Sequence, residues 1–527
     1  MIDGPEATDR PESTDEPDEP VKSEQRKFPT AFTVLAIVLL AIWALSFVIP
    51  SGSYEFDEKT GGPVPGSYEE LPECDEVEKG TRCVNKSLPE QLQQLWTSVP
   101  NGLYGIENGR GNVDPFNSGF LYGSAMIFLF VLAVGAFVSV TMRTEAIQTG
   151  IGRLALRYKH SGSMLVIVLM SIFALGGTTY GMWEETLGFF ALLVPLVLAL
   201  NYDRLVAVSI IFFGAGTGVL ASTVNPFATG VASDAAGIDV GDGIVLRILM
   251  FIVLVGMAIG YVLWYCRRIS GDPSRSIVGI SAGDASEAKE LVEDVPLLTG
   301  RQKVILGVFF AAFAILIYGF VPWDDVMDTI FSADWPLPTF ENFYFAEASV
   351  VFLIAAVIIG LIGKLGEERT VNAIVAGAGE FLGAALVIVL ARAVTVVMKN
   401  AAINDTIIHW TEDAVSGTSG TIFAPLAMIV NLPIAFLVPS SSGHAALIMP
   451  ILAPLADFAD VDRSIAVTAF QSASGIVNYI TVTSAVVMGG LVLAKVRYDH
   501  YLRFALPFVG MVIVVVCAFL ALGETIG

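Results

Sequence analysis

Apolar runs long enough to cross a bilayer recur along almost the whole chain, beginning at Phe32 to Pro50 and again at about 118 to 141. A hydrocarbon core of about 30 Å needs about 20 apolar residues in helical form, so a chain with many such runs folds as a polytopic helical membrane protein. Transmembrane barrels are excluded, because their strands alternate apolar and polar residues instead of running continuously apolar. The composition agrees: 54% of the 527 residues are hydrophobic, 15% are charged and the mean hydropathy is +0.69. With 29 Lys and Arg against 51 Asp and Glu, the net charge of −22 must lie on the tail and loops, which argues against nucleic-acid binding. Surfaces this acidic suit a salt-rich cytoplasm and point to a halophilic source.

Residues 1 to 27 carry nine acids among Pro, Ser and Thr and are expected to form a disordered cytoplasmic tail, with no cleavable signal peptide. Lys22, Arg26 and Lys27 precede the first span, so the positive-inside rule puts the N-terminus of this multi-pass chain in the cytoplasm and its loop at 51 to 117 outside. One assignment then places every short basic loop on the same side: Arg143, Arg153, Arg157 and Lys159; Arg267, Arg268, Arg275, Arg301 and Lys303; Lys364 and Arg369; Lys495, Arg497 and Arg503. The acidic segment 323 to 347 falls outside. Of four cysteines, Cys74 and Cys83 lie in the outer loop, where a bridge would survive, and Cys266 and Cys517 read as packing residues; no Cys/His group has metal-ligand spacing. Asn85-Lys86-Ser87 and Asn404-Asp405-Thr406 are sequons on the expected outer side.

The polar linker 267 to 303 divides a first transmembrane half, 28 to 266, from a second, 304 to 527, and the halves resemble one another. In the first, Gly176-Gly177-Thr178-Thr179-Tyr180-Gly181 interrupts an apolar region and predicts a re-entrant hairpin over about 163 to 200. In the second, Pro439-Ser440-Ser441-Ser442-Gly443 predicts another over about 418 to 460, the shared pattern being two hydroxyl residues, any residue, then Gly. Each half then offers a broken helix, at about 205 to 235 centred on Ser222-Thr223-Val224-Asn225-Pro226, and at about 464 to 490 centred on Gly475-Ile476-Val477-Asn478. With the basic loops inside, the first hairpin opens to the cytoplasm and the second to the exterior. The fold class expected is an all-α inverted repeat, the architecture of secondary transporters, whose site lies between related halves near the midplane.

Broken helices at membrane depth must be buried in protein or line a polar cavity, because lipid satisfies no backbone group. The residues expected to bind substrate are Thr178, Thr179, Glu184, Glu185, Ser222, Thr223, Asn225, Thr229, Arg392, Ser440, Ser441, Ser442, Gly443, Asn478, Thr481 and Thr483. A Na+ ion is placed near Gly176, Gly177, Asn225 and Asn478, with proton coupling as the other option, and no organic cofactor is expected. The competing explanation of each stretch is that small residues let helices pack closely. Glu184 and Glu185 stand in an otherwise apolar arm, where an ionisable group is a functional hypothesis. Arg392 either holds a substrate carboxylate or pairs with a glutamate such as Glu184 or Glu185, Glu380 is interfacial, and His444 reads as a hydrogen-bonding residue.

The runs Gly176 to Thr186, Ser222 to Gly230 and Pro439 to Gly443 resemble the YfcC-type carriers, a family grouped with the DcuC-like C4-dicarboxylate carriers in the ion-transporter superfamily and including arginine/ornithine antiporters of the ArcD type. The similarity extends from Phe28 to about Phe508. It implies a scaffold domain for homodimerisation and an elevator-type transport domain bearing the hairpins. The superfamily's Ser-Asn-Thr signature falls on Thr178-Thr179-Tyr180 and Ser440-Ser441-Ser442, neither of which has the central Asn. A dicarboxylate would be repelled by the acidic pair unless that pair is neutralised or metal-bound, whereas a basic amino acid uses both signs of charge, so exchange of arginine/ornithine-type substrates is the expectation and a Na+- or H+-coupled dicarboxylate carrier the alternative. An intramembrane enzyme is disfavoured because nothing assembles a nucleophile, a base and an orienting group.

Overall fold

The structure is a computed structural model that describes residues 31–55, 63–64, 66–74, 83–104, 125–158, 161–279, 296–321, 323, 339–340, 343–415, 419–438, 440–482 and 484–526. The acidic tail, the 280–295 stretch of the linker, most of the acidic outer segment, Pro439 and Thr483 lie outside the described residues. The described chain is helical apart from a two-residue antiparallel pairing of Gly52–Ser53 with Glu69–Glu70. Cys74 and Cys83 are joined by a disulfide, and Cys266 and Cys517 are free.

The helices are α1 Ala31–Leu45, α2 Leu88–Tyr104, α3 Ala125–Arg143, α4 Ala146–Arg157, α5 Gly162–Tyr180, α6 Phe190–Ala199, α7 Arg204–Leu220, α8 Val231–Ala236, α9 Ile244–Gly271, α10 Gly300–Phe320, α11 Phe345–Ile362, α12 Glu367–Asn400, α13 Asn404–Val415, α14 Gly420–Leu437, α15 Ser441–Phe458, α16 Arg463–Ile480, α17 Ala485–Leu493 and α18 Tyr498–Ile526. Among the described residues seven of them, α3, α5, α9, α10, α11, α12 and α18, are long and apolar enough to cross a membrane. Their outward faces carry helical stripes such as Val350, Ile354, Val357 and Leu361 on α11, opposite the buried Ala348, Phe352, Ala355 and Ile359. A helix apolar on its outer as well as its inner face suits lipid and not water.

Side-chain caps start the helices that follow tight turns. Asp203 accepts from Val206 N at the head of α7, Asp462 from Ser464 N at the head of α16, and Thr299 forms a capping box with Gln302 at the head of α10. Gly181 closes α5 at φ +77, a left-handed position that glycine adopts without a Cβ penalty.

The helices pack as two groups. α1, α2, α3, α10, α11 and α12 form one, centred on Phe137, Phe309, Phe313 and Phe352. α5 to α9 and α14 to α18 form the other, around Phe213, Tyr261, Tyr479, Phe504 and Phe508. α5 lies against α7 at near-backbone distance: a Cβ on Gly218 would sit 2.1 Å from Ala174 O, and one on Gly177 would sit 2.3 Å from Ala215 O. Small residues thus serve close packing at this contact, as the competing explanation held.

Contacts sort the connecting segments onto two ends. At one end Gln302 donates to Thr144 O, Arg153 to Pro296 O, and Asp203 accepts from Tyr265 and Ser276. At the other, Gly52 N donates to Ala402 O, Tyr54 N to Asp405, and Arg463 to Ala236 O. Near the first set, Gly162 at the start of α5 lies against Tyr202 just after α6; near the second, Phe458 at the end of α15 lies beside Tyr54.

Candidate functional site

The arms of the two helical hairpins are joined across 181–183 and 438–440, and two helices break opposite them, α7 giving way to α8 across 221–225 and α16 to α17 across 481–484. After the first break, Pro226–Gly230 forms a wide helical turn that leads into α8. The second break lies later than the sequence pattern suggests: Gly475 to Asn478 is regular helix. Gly475 is small because a Cβ there would meet Leu220 Cα at 2.4 Å, so the glycine is a packing residue and the chain leaves the helix only at Thr481.

A register of 259 residues relates the broken helices. It matches the caps Asp203 and Asp462, the caps Asn225 and Ser484 of the second arms, and Gly216 with Gly475. It is also reciprocal across the interface: a Cβ on Gly216 would meet Tyr479 at 3.0 Å while Gly475 meets Leu220, and 479 and 220 differ by the same interval. The counterpart of Asn225 is therefore Ser484, and Asn478 corresponds to Val219. In the hairpins, Glu184 and Glu185 directly follow the first turn as Ser441 and Ser442 follow the second, whereas Thr178 and Thr179 precede theirs. The matching of Thr178–Gly181 to Ser440–Gly443 by hydroxyl pattern is not the structural one.

At the first junction hairpin and break are bonded together. Thr178 Oγ1 donates to Ala221 O at 2.9 Å and accepts from Thr223 N at 3.0 Å, while Thr178 O accepts from Thr223 N and Val224 N. Asn225 Oδ1 caps Phe227 N at 2.8 Å and its Nδ2 reaches Gly177 O at 3.3 Å. Ser222 and Thr229 hydroxyls meet at 2.5 Å; Gln471 of α16 accepts from Thr229 at 2.8 Å and donates to Ser222 O at 3.0 Å. All of these side chains are buried. The carbonyls of Gly176 and Gly177, expected to face Na+, already accept from Met182 N and Asn225 Nδ2. Thr179 points away, its hydroxyl bonded to Leu175 O at 2.7 Å.

The second junction is bonded differently among the described residues. Ser440 Oγ accepts from Gly443 N at 3.3 Å and lies 3.4 Å from Ser442 Oγ, and Ser441 Oγ meets Ser474 Oγ of α16 at 3.1 Å. Asn478, one helical turn beyond Ser474, is half-buried and its amide bonds to no other described residue. Thr481 is buried at the break, and Ser484 Oγ accepts from Trp183 Nε1 of the first hairpin turn at 3.4 Å. Glu185 is half-buried and accepts from Trp183 N at 3.3 Å; the side chain of Glu184 lies outside the described residues. His444 is buried and bonded to Asn431 at 3.1 Å.

The described partner of Arg392 is neither glutamate. Its guanidinium pairs with Asp234 on α8, which also receives the Tyr344 hydroxyl at 3.5 Å. Asp234, Gln471, Ser474 and Ser484 join this region without having been expected as site residues. For Gln471 a signal existed, an amide in an apolar helix, where a polar group needs a partner.

Two solved structures share this fold. The Alcanivorax borkumensis YdaH transporter superposes with a TM-score of 0.67 over 94% of this chain and 98% of its own at 13% identity. Neisseria gonorrhoeae MtrF, described with a class of antimetabolite efflux pumps, gives 0.64 over 94% and 95% at 15% identity. The fold is thus that of a polytopic helical membrane protein. Within that class the chain belongs to the DcuC family, "C4-dicarboxylate anaerobic carrier", which matches residues 28–524. An uncharacterised Haemophilus influenzae (Rd) protein is 30% identical over 94% of this chain and 97% of its own. Escherichia coli K12 YfcC, provisionally named a basic amino acid antiporter, is 29% identical over 76% of this chain and 78% of its own. The protein is a secondary transporter of this family and not an enzyme.

Proposed function

We propose that this transporter exchanges basic amino acids of the arginine/ornithine class, binding them between the two hairpin turns and the second break. The observation that carries this reading is the chemical asymmetry of two structurally matched positions, Glu184-Glu185 after one turn and Ser441-Ser442 after the other. A carboxylate pair suits the cationic end of the substrate; the hydroxyls and leading N–H groups of α15, with the Asn478 amide, suit its α-carboxylate. The name of YfcC supports the same class. Counter-exchange of one cation for another needs no ion gradient, in keeping with a first junction whose carbonyls are already engaged.

The halves act as an inverted repeat with re-entrant hairpins. Their reciprocal contacts support this, and the two packed groups correspond to a scaffold and an elevator-type transport body. The basic loops, gathered at one end, put that end and the N-terminus in the cytoplasm of the cell that carries the protein in its plasma membrane. The family description favours a second reading, Na+- or H+-coupled C4-dicarboxylate transport. Proteoliposomes decide between them. Arginine/ornithine counterflow without an imposed ion gradient is expected, and succinate or malate uptake that collapses without Na+ or a proton gradient overturns it. Glu184→Gln is expected to lower counterflow of a cationic substrate about tenfold, the loss of one charge-assisted contact, while leaving dicarboxylate binding unchanged; equal loss of both removes the argument from charge.

A further inference from the structure

The second arm of the first broken helix lies against the scaffold group through a stripe of residues at helical spacing. Phe227 packs on Phe381 of α12 with ring centroids 5.7 Å apart, and a Cβ on Gly230 would meet Phe345 of α11 at 3.0 Å. One turn further, Asp234 pairs with Arg392 of α12 and receives the hydroxyl of Tyr344, which caps α11. The first two contacts are apolar and non-directional, so they survive a displacement along the helix axis by exchanging one apolar neighbour for another. The third does not. A carboxylate and a guanidinium have one favourable placement, and separating them strands both charges where little water reaches, since each is about one-fifth exposed (18% and 22%). Burial, reinforced by Asp234 and then Asp239, holds the Tyr344 phenol well above its ordinary range, so it stays a neutral donor toward that carboxylate. The same arm is tied within its own group, where Arg463 donates to Ala236 O at 2.9 Å while gripping Asp457. Asp234 thus moves with the hairpins and Arg392 with the scaffold.

We infer that Asp234 and Arg392 form a registration latch, the contact that fixes where the transport body stops against the scaffold in this state and that must open in every transport cycle. The inference rests on the two-body reading above, but its test does not depend on the substrate.

Phe381→Cys, placed in a chain whose Cys266 and Cys517 are replaced by Ser, sits under Phe227 and reports opening by its rate of reaction with a membrane-impermeant maleimide in vesicles. Asp234→Asn and Arg392→Gln are each expected to raise that rate about fivefold, the size of a partly exposed ion pair. The double variant is expected to be no faster than either single, and Asp234→Arg with Arg392→Asp to restore the original rate. Unchanged labelling in both singles, or singles whose effects multiply in the double, overturns the latch. A reversed pair that inserts into the membrane and stays fast also overturns it; if it fails to insert, the neutral cycle decides alone. Absence of arginine counterflow would defeat the proposed substrate and leave these labelling rates unaffected, so the two failures are distinguishable.

Discussion

The two junctions of hairpin and broken helix occupy corresponding places along the chain, yet their described contacts differ. At the first, Thr178, Thr223, Asn225, Ser222, Thr229 and Gln471 saturate one another in a buried network that spans both halves. At the second, the described contacts include the hydroxyl pairs Ser440–Ser442 and Ser441–Ser474, and the Asn478 amide on α16 bonds to no other described residue. A saturated junction is a rigid joint, whereas an unsaturated one is a place where a ligand can complete the bonding. On the reading proposed above, the first break is structural and the second belongs to recognition, although Asn225 and Asn478 look interchangeable in the sequence.

The strongest way to break that division is Asn225→Ala. It strands Phe227 N, Ala228 N and Gly177 O in a dry site, and a loss of about 3 kcal/mol is expected, read as a lowered midpoint of thermal unfolding in detergent. Normal stability with lost transport would move Asn225 into the recognition site. Next, Gln471→Leu removes two cross-half hydrogen bonds and should cost about 2 kcal/mol, with Gln471→Glu recovering only the bond from Thr229. Asn478→Ala should leave the unfolding midpoint within the noise of a surface change yet raise the counterflow KM about tenfold, one hydrogen bond to a charged substrate. A destabilised Asn478→Ala would show that the two junctions are alike after all.

The smallest effect concerns the anchor of the first broken helix. Asp203, at the turn before α7, has its carboxyl pushed above the usual range by burial, against hydrogen bonds from Ser276, Tyr265 and Val206 that pull it down. A raised folded-state value means that the proton-bound form favours folding. This contribution is fully present below the unfolded carboxylate pKa and is lost as pH rises through the higher folded value. Asp203→Asn is expected to flatten that part of the stability-versus-pH curve; a wild-type curve rising through the same window, with no change in the variant, contradicts the assignment.

Much of this was legible in the chain because the signals were local. Asp203-Arg204 and Asp457 to Arg463 mark the polar turns, Asn225-Pro226 carries a helix start within its own two residues, and the glycine and hydroxyl runs mark both hairpin turns. The second break was misplaced because a membrane glycine has two meanings. Gly475 could loosen a helix or let a neighbour approach, and only the position of Leu220 shows that it does the latter. Arg392 was recognised as a charge that needs a partner, but Asp234 is 158 residues away and stands in an ordinary-looking polar stretch.

Amino-acid order alone determined that the chain spans a bilayer many times and where most of its helices must stop, because apolar length, caps and breakers act within a few residues. Tertiary structure decided which polar groups are already satisfied and which remain open. Hydrogen-bond saturation belongs to contacts between distant segments, and no local pattern can tell a buried amide whose valences are filled from one still waiting for a ligand.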